Sequence, residues 1–437
     1  MTTMKKRSIC GLMAAMLLLT TACGGSKESS TEQKDAPQTE GAEAELTEWE
    51  KSSGIFNTDE TEEELYELAK QEGSVTLYSI SSRCGKVANA FNAKYPGVVC
   101  TAFDISGSEL LEKVTREYEA GRYVADVVHY KDQDGSIYAE YVESNIFYNY
   151  RPEDILSHVD DIYKQTSTPL YIEMTQLFYN GDAYPDKPPV TNIWEVTQPE
   201  WKGRVMMQNI LNDLAWASWA TGFCVGDTPA MLEDAYKDLT GEDLVLSEGC
   251  ENAGYEFLKR LYENEPIFTS SSDDVAEGVG TRGQSTPPIG FASSTKLRKN
   301  KDNNWCLVPI NLEPTVGIPQ INSLYVVNNC QHPNAAKLLI RFMMGGTDGD
   351  TSGNDPFNTL GGWPIRDDIE PAEGSVPLED WNLSHVSTED IYYNINKVRD
   401  FWTLRKFKLA STLFSEPRVA MARVPPRCPT RPLTTAL

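Results

Sequence analysis

Three short stretches set hydroxyl side chains beside cations in an otherwise acidic chain. Ser79-Ile80-Ser81-Ser82-Arg83 offers three hydroxyls and a guanidinium, Ser106-Gly107-Ser108 offers two hydroxyls around a glycine, and Ser293-Ser294-Thr295 is followed by Lys296 and Arg298. Hydroxyls and free backbone amides donate to an anion, and a guanidinium grips two oxygens of a carboxylate or phosphate at once. The candidate ligand contacts are therefore Ser81, Ser82, Arg83, Ser106, Gly107, Ser108, Ser293 and Ser294. An ordinary reading stands beside each: Ser is a common helix cap, Ser108 would cap its helix in any case, and Lys296 and Arg298 suit a solvated face. The sequence holds no H-E-x-x-H, G-x-S-x-G or P-loop signature, and no two of His129, His158, His332 and His385 are close in sequence. His129 ends a strand-like run, where a buried or surface imidazole is the simpler role.

The elements that must hold these stretches follow from periodicity. "TEEELYELAKQEG" is a helix, with Thr61 and Glu64 as a capping box and Gly73 as its stop. "SVTLYSI" then reads as a buried strand, "GKVANAFNAKY" as a helix stopped by Pro96-Gly97, "GVVCTAFD" as a strand, "SGSELLEKVTREYEAG" as a helix and "ADVVHY" as a strand. The alternation resumes with "NAGYEFLKRLYEN", "PPIGFAS", "NWCLVPI", "SLYVVNN" and "PNAAKLLIRFMMGG". Strands alternating with helices of this length imply an α/β class. In such sheets ligands sit beyond the carboxyl ends of the strands, where each hydroxyl stretch falls.

Both ends of the chain differ from this body. Met1 to Arg7 carries three cations and Ile9 to Leu19 is apolar and uncharged, a signal-peptide plan too short to span a bilayer comfortably. Ala22-Cys23-Gly24-Gly25 resembles the lipobox of bacterial lipoproteins, with Thr20 standing where Leu is usual. The resemblance implies a signal peptide over 1–22, a lipidated Cys23 and an extracytoplasmic protein anchored to the membrane; plain secretion is the alternative. Residues 23–58 are polar and acidic and are expected to be a disordered tether. From 411 to 437 the sequence turns Pro-rich and basic; it is either a disordered tail or the product of a shifted reading frame, and it is assigned no function.

The 437 residues carry a formal net charge of -25, which argues against nucleic-acid binding, and their 40% hydrophobic content suffices for one or two packed cores. Cys84, Cys100, Cys224, Cys250, Cys306 and Cys330 permit disulfides or buried free thiols, but no C-x-x-C pair suggests zinc. "GVGTRG" at Gly278 to Gly283 lacks the strand and helix of a dinucleotide site, and "DGDTSGNDPFNT" at Asp348 to Thr359 lacks the Glu of a calcium loop.

Taken together, "GSVTLYSISS", "SGSELLEKVTREYEAGRYVADVV", "PEWKGRVMMQN", "PNAAKLLIRFMM" and "GGWPIR" resemble, in order over roughly residues 73–403, the extracellular solute-binding proteins of bacterial ABC importers. The nearest group holds ferric-iron, phosphonate, sugar-phosphate and polyamine binders. The resemblance implies a two-lobe, type II periplasmic-binding-protein-like fold with a hinge and an interlobe ligand cleft. Lobe 1 would comprise 59–174 and 312–410, lobe 2 would comprise 175–311, and the C-terminal helices would pack on lobe 1. It also implies a monomer that hands a small solute to an ABC permease, with no catalysis and no cofactor. Ferric binders of this kind use neighbouring tyrosines of the second lobe, and near Phe291 there are Ser and Thr instead. Tyr392-Tyr393 is expected to serve the core. The expected cargo is thus a phosphonate, phosphate ester or carboxylate, with ferric iron or a polyamine as the alternative and a surface-anchored hydrolase as the rival class.

Overall fold

Thr61 and Glu64 cap each other at the start of the helix Glu62–Glu72, and Gly73, at φ 75°, closes it by donating its N–H to the Ala69 carbonyl. The helix buries Leu65 and Ala69 against the helix Pro333–Met344, so two segments far apart in sequence form one layer. The computed structural model describes residues 45–415, with side chains as far as Arg405.

The strands are β1 (Ser74–Ser79), β2 (Val99–Asp104), β3 (Val127–Lys131), β4 (Phe147–Tyr148), β5 (Thr168–Glu173), β6 (Thr175–Asn180), β7 (Val205–Gln208), β8 (Ile267–Thr269), β9 (Ile289–Ser293), β10 (Leu307–Pro309), β11 (Gln320–Val327) and β12 (Trp363–Pro364). They form two sheets. One runs β12-β5-β11-β3-β1-β2, with β4 also on β11; the other runs β10-β6-β9-β7-β8. In the first sheet β1 is parallel to β2 and β3, joined by helical crossovers as the alternation requires. β11 returns antiparallel between β3 and β5, making the sheet mixed. The register sets Ser79 opposite both Asp104 and His129, so β1 and β2 end level at one rim and β3 runs two residues further, to Lys131. In the second sheet β7 is parallel to β8 and β9, and β6 runs antiparallel to β9.

The chain passes between the sheets at a single residue, Met174, which separates β5 from β6. Met174 is fixed by Ser294, whose N–H donates to its carbonyl at 2.8 Å and whose hydroxyl accepts its N–H at 3.1 Å. The return crossing lies between Pro309 and Gln320. It is supported by Val316 N–H on the Asn382 carbonyl and Ser384 N–H on the Gly317 carbonyl, at 2.7 and 3.1 Å.

Some expectations need correction. The tether does not extend to residue 58, because Glu48–Ser53 is a helix capped reciprocally by Thr47 and Glu50. Trp49 stacks on Tyr148 and donates to the Cys330 carbonyl, and Ile55 is buried; these apolar residues within the acidic run hold the segment down. The C-terminal helix, Thr388–Ser415, begins against residues 135–140 of the lobe expected, but its middle packs on the other lobe. Phe401 lies against Tyr255, and Trp402 lies against Tyr262 and Phe268, all beside the second sheet. It also runs through residue 415, past the boundary expected at 411; residues 416–437, like the signal peptide and Cys23, lie outside the described residues. Tyr393 is exposed and Tyr392 bonds Glu140, so the pair is not core. The helix Leu214–Gly222 escaped periodicity because every residue from Trp216 to Gly222 is buried, leaving no polar face to give it an amphipathic pattern. The six described cysteines are free thiols, and all but Cys250 are buried.

Candidate ligand-binding cleft

β1 ends in Ser79, and the turn Ile80 to Arg83 leads into the helix Cys84–Lys94. The turn is built by its own hydroxyls. Ser79 Oγ accepts the Ser81 N–H at 3.1 Å and pairs with His129 Nδ1 at 2.8 Å. Ser81 Oγ accepts from Arg83 Nε at 3.0 Å, so Ser81 aims the guanidinium. Arg83 also donates to the Tyr171 hydroxyl at 2.7 Å and the Pro356 carbonyl at 3.5 Å. Its guanidinium lies 4.9 Å from the Phe357 ring centroid and 5.1 Å from that of Tyr171, and these rings stack on each other at 5.1 Å. The His129 ring touches both. An arginine laid on an aromatic layer with its Nε tied down has lost most of its rotamer freedom before any ligand arrives.

Three more charges complete this end of the site. Lys131 and Glu173, both buried, pair at 2.7 Å, and Lys131 also bonds Gln320 Oε1 at 3.0 Å. Burial alone would raise the Glu173 carboxyl, but the Lys131 ammonium, with Arg83 and Arg298 beyond it, brings it below the ordinary carboxylate range. Arg298 comes from the turn after β9 in the second sheet and donates to the Thr295 carbonyl at 2.5 Å. Burial lowers its pKa, and the next cause is the charge of Arg83, which belongs to the other sheet. Lys131, Arg83 and Arg298 set against Glu173 leave two net positive charges. Lys296 pairs with Asp273 at 3.0 Å, and burial lowers its pKa as well.

Of the eight candidate residues, Arg83 and Ser81 stand together as described. Ser82 is exposed at the same turn, and Ser293, half-buried at the facing rim, pairs with Thr295 at 2.8 Å. Ser106, Gly107 and Ser108 open the helix Gly107–Glu119 at the end of β2. The cap position belongs to Ser106 and not to Ser108, which is exposed in the first turn. Ser294 is the clear departure: it is fully buried, and its hydroxyl is committed to Met174 N–H and the Gly361 carbonyl. It fastens the crossing and has nothing left for a ligand. Gly361 must be glycine there, because at φ 77° an added Cβ would sit 2.0 Å from the Ser294 carbonyl oxygen.

Sequence reasoning missed Tyr171, Phe357, Lys131, Glu173 and Gln320. They sit on buried strands or in the loop set aside as a failed calcium motif, and only tertiary pairing reveals them. Asp348 and Asp350 of that loop serve Lys94, at 3.2 and 3.1 Å. His129 is fully buried, consistent with a core imidazole. "GVGTRG" is a packing feature in part, since a Cβ on Gly280 would meet Leu307 and Trp305 at 2.9 Å. A groove of about 860 Å³ lies elsewhere, between residues 157–163 and 363–385. Among the described residues the one group of metal-ligand types in mutual reach, His158, Asp367 and Asp368, is beside it, with Asp368 held by Arg366.

No protein-family model and no curated protein matches the sequence. Solved structures do. Iron-bound HitA from Pseudomonas aeruginosa is similar with TM-score 0.58 at 13% identity, over 76% of this chain and 99% of that one. A putative extracellular solute-binding protein from Bordetella parapertussis gives 0.56 at 14%, over 77% and 99%. The periplasmic binding protein AfuA from Actinobacillus pleuropneumoniae, with fructose-6-phosphate bound, gives 0.55 at 15%, over 76% and 99%. Two mixed sheets joined at Met174 and again through residues 310–319, and shared with these ferric and solute binders, give the chain the type II periplasmic-binding-protein fold.

Proposed function

We propose that the protein is an extracytoplasmic solute-binding protein that captures a small anionic solute and presents it to an ABC import permease, without catalysing a reaction. The observation that supports this reading is that Arg83, held on the Tyr171 and Phe357 rings, and Arg298, from the turn after β9, are electrostatically coupled across the two sheets, with the Lys131–Glu173 pair unable to neutralise both. An anion entering there is held by both lobes at once, and the differential contact draws the lobes together. A phosphonate, phosphate ester or carboxylate fits. Ferric iron fits less well. A hard cation needs anionic oxygen ligands, yet the Tyr171 phenol already accepts from Arg83, and burial followed by Glu173 pushes its ionisation up. Tyr130 is pushed up too, by burial first. No helix among the described residues is long and apolar enough to cross a membrane.

The test is thermal unfolding of the mature chain against phosphate esters, phosphonates, carboxylates, ferric citrate and polyamines. A ligand present at a hundred times its Kd should add about 2.7 kcal/mol. A shift with an anionic class supports the reading; a shift with ferric citrate or polyamines alone replaces it. The proposal also places the protein on the membrane as a monomer, through a lipidated Cys23. Cys23→Ala should move it from the membrane fraction to the soluble fraction, and unchanged partition would remove the anchor.

A further inference from the structure

Ser74, Asp126 and His332 meet at the amino end of β1, the opposite end of that strand from the turn that carries Arg83. Asp126 is buried and accepts three N–H groups: that of Thr76 at 2.7 Å, the backbone N–H of His332 at 3.1 Å and His332 Nδ1 at 3.0 Å. A carboxyl so committed is the acceptor, so the ring proton sits on Nδ1 and Nε2 keeps its lone pair. Nε2 lies 3.2 Å from Ser74 Oγ. A hydroxyl paired with an imidazole that a buried carboxylate holds in this tautomer is an activated nucleophile. The three residues open β1, precede β3 and precede the helix Pro333–Met344, so no local signature announces them.

The hydroxyl can be approached. Ser74 is half-buried and the His332 side chain is 23% exposed. Val99 stands opposite Ser74 on β2, and continuing the register back from Leu77 and Val127 sets Val124 on its other side. Side chains in register share a face of the sheet, and both valines are exposed, at 57% and 46%. A nucleophile between two exposed apolar side chains suits a small apolar acyl group. Next to it, a Cβ added to Gly73 would meet nothing within 4 Å.

We propose that Ser74 is a nucleophile toward activated acyl esters, a reactivity separate from solute capture. Ser74 Oγ attacks the ester carbonyl carbon and gives its proton to His332 Nε2. The tetrahedral centre then expels the alcohol oxygen, which takes that proton, leaving an acyl ester on Ser74 and a free alcohol. Asp126 is a positioning residue. The inference asks for one acyl group per chain and no turnover. By strand rise Ser74 lies about 16 Å from Ser79 at the other end of β1, so neither site depends on the other.

The mature chain incubated with p-nitrophenyl butyrate, and read by intact mass and peptide mapping, tests this. General-base assistance is worth about a hundredfold or more, so butyryl should reach Ser74 at least about tenfold faster than Ser82 and Ser108. Those two are exposed and bond no histidine among the described residues. Ser74→Ala should lose that label and keep the others, and His332→Gln should slow Ser74 to the rate of the exposed serines. In Asp126→Asn the ring nitrogen NMR shifts of His332 should lose the Nδ1–H pattern as labelling slows; unchanged shifts would refute that positioning. No label on Ser74, or a rate no higher than that of Ser82 and Ser108, overturns the proposal on the parent protein alone, whether or not the variants fold. Undiminished labelling in a folded His332→Gln overturns it as well.

Discussion

The Arg83→Ala, Arg298→Ala double variant should bind an anionic solute roughly a hundredfold to a thousandfold more weakly than the parent. Hydrogen bonds to charged groups are each worth about 1.5–3 kcal/mol, and every 1.4 kcal/mol is a factor of ten. The two arginines share one ligand, so their single losses need not add. Arg83→Lys keeps the charge but loses both the fork and the stacking on Tyr171 and Phe357, and a loss of about tenfold is expected. The ligand-free protein should respond in the opposite direction. Arg83 and Arg298 repel each other in the empty cleft, so removing Arg298 should leave the unfolding midpoint unchanged or raise it. Stability held against function is a common feature of binding sites. Titration calorimetry and thermal unfolding of the single and double variants separate the two effects. Unchanged affinity in the double variant would mean that the solute binds elsewhere, and a large fall in the ligand-free midpoint would mean that the arginines are structural.

The backbone of this arrangement was legible because the rules that set it are local. Capping residues, Pro-Gly stops and buried β-branched runs place β1, the turn Ser79 to Arg83 and the helix after it, and they place β9 and the turn to Arg298 in the same way. The chemistry was legible only in part. A serine in a loop can serve ligand, cap or crossing, and the sequence treats them alike. Ser81 aims Arg83, Ser106 starts a helix, and Ser294 clasps Met174; the difference lies in partners some 120 residues away for Ser294 and two for Ser81. Phe357 was hidden for a related reason. Its loop looks like solvated acid, and one aromatic in it turns inward beneath a guanidinium that lies 273 residues upstream of its neighbour Pro356. The long C-terminal helix shows how a family likeness can mislead: its aromatic residues Phe401 and Trp402 dock where Tyr255 and Tyr262 leave a matching face, and no periodicity says which lobe that face belongs to.

The same aromatic layer makes the fold sensitive to acid. His129 is fully buried and its Nδ1 is paired with Ser79 Oγ. Burial first, and the Arg83 charge second, hold its pKa down at about 3. An unfolded chain takes up that proton near pH 6.5. The folded-state pKa is the lower one, so the stability from keeping His129 neutral is complete above about pH 6.5 and is lost as pH falls toward 3. At pH 5 the group lies about 1.5 units below its unfolded pKa, and at 1.36 kcal/mol per unit the loss is about 2 kcal/mol. Urea unfolding at pH 7.5 and pH 5.0 should therefore show the parent losing about 2 kcal/mol more than His129→Gln, which carries no titrating ring. Equal losses in the two proteins would refute the assignment. A bound anion partly cancels the Arg83 charge, the second of the two causes, but leaves burial untouched. Saturating solute should accordingly narrow the difference between parent and variant without closing it, tying the acid response of the core to the occupancy of the cleft.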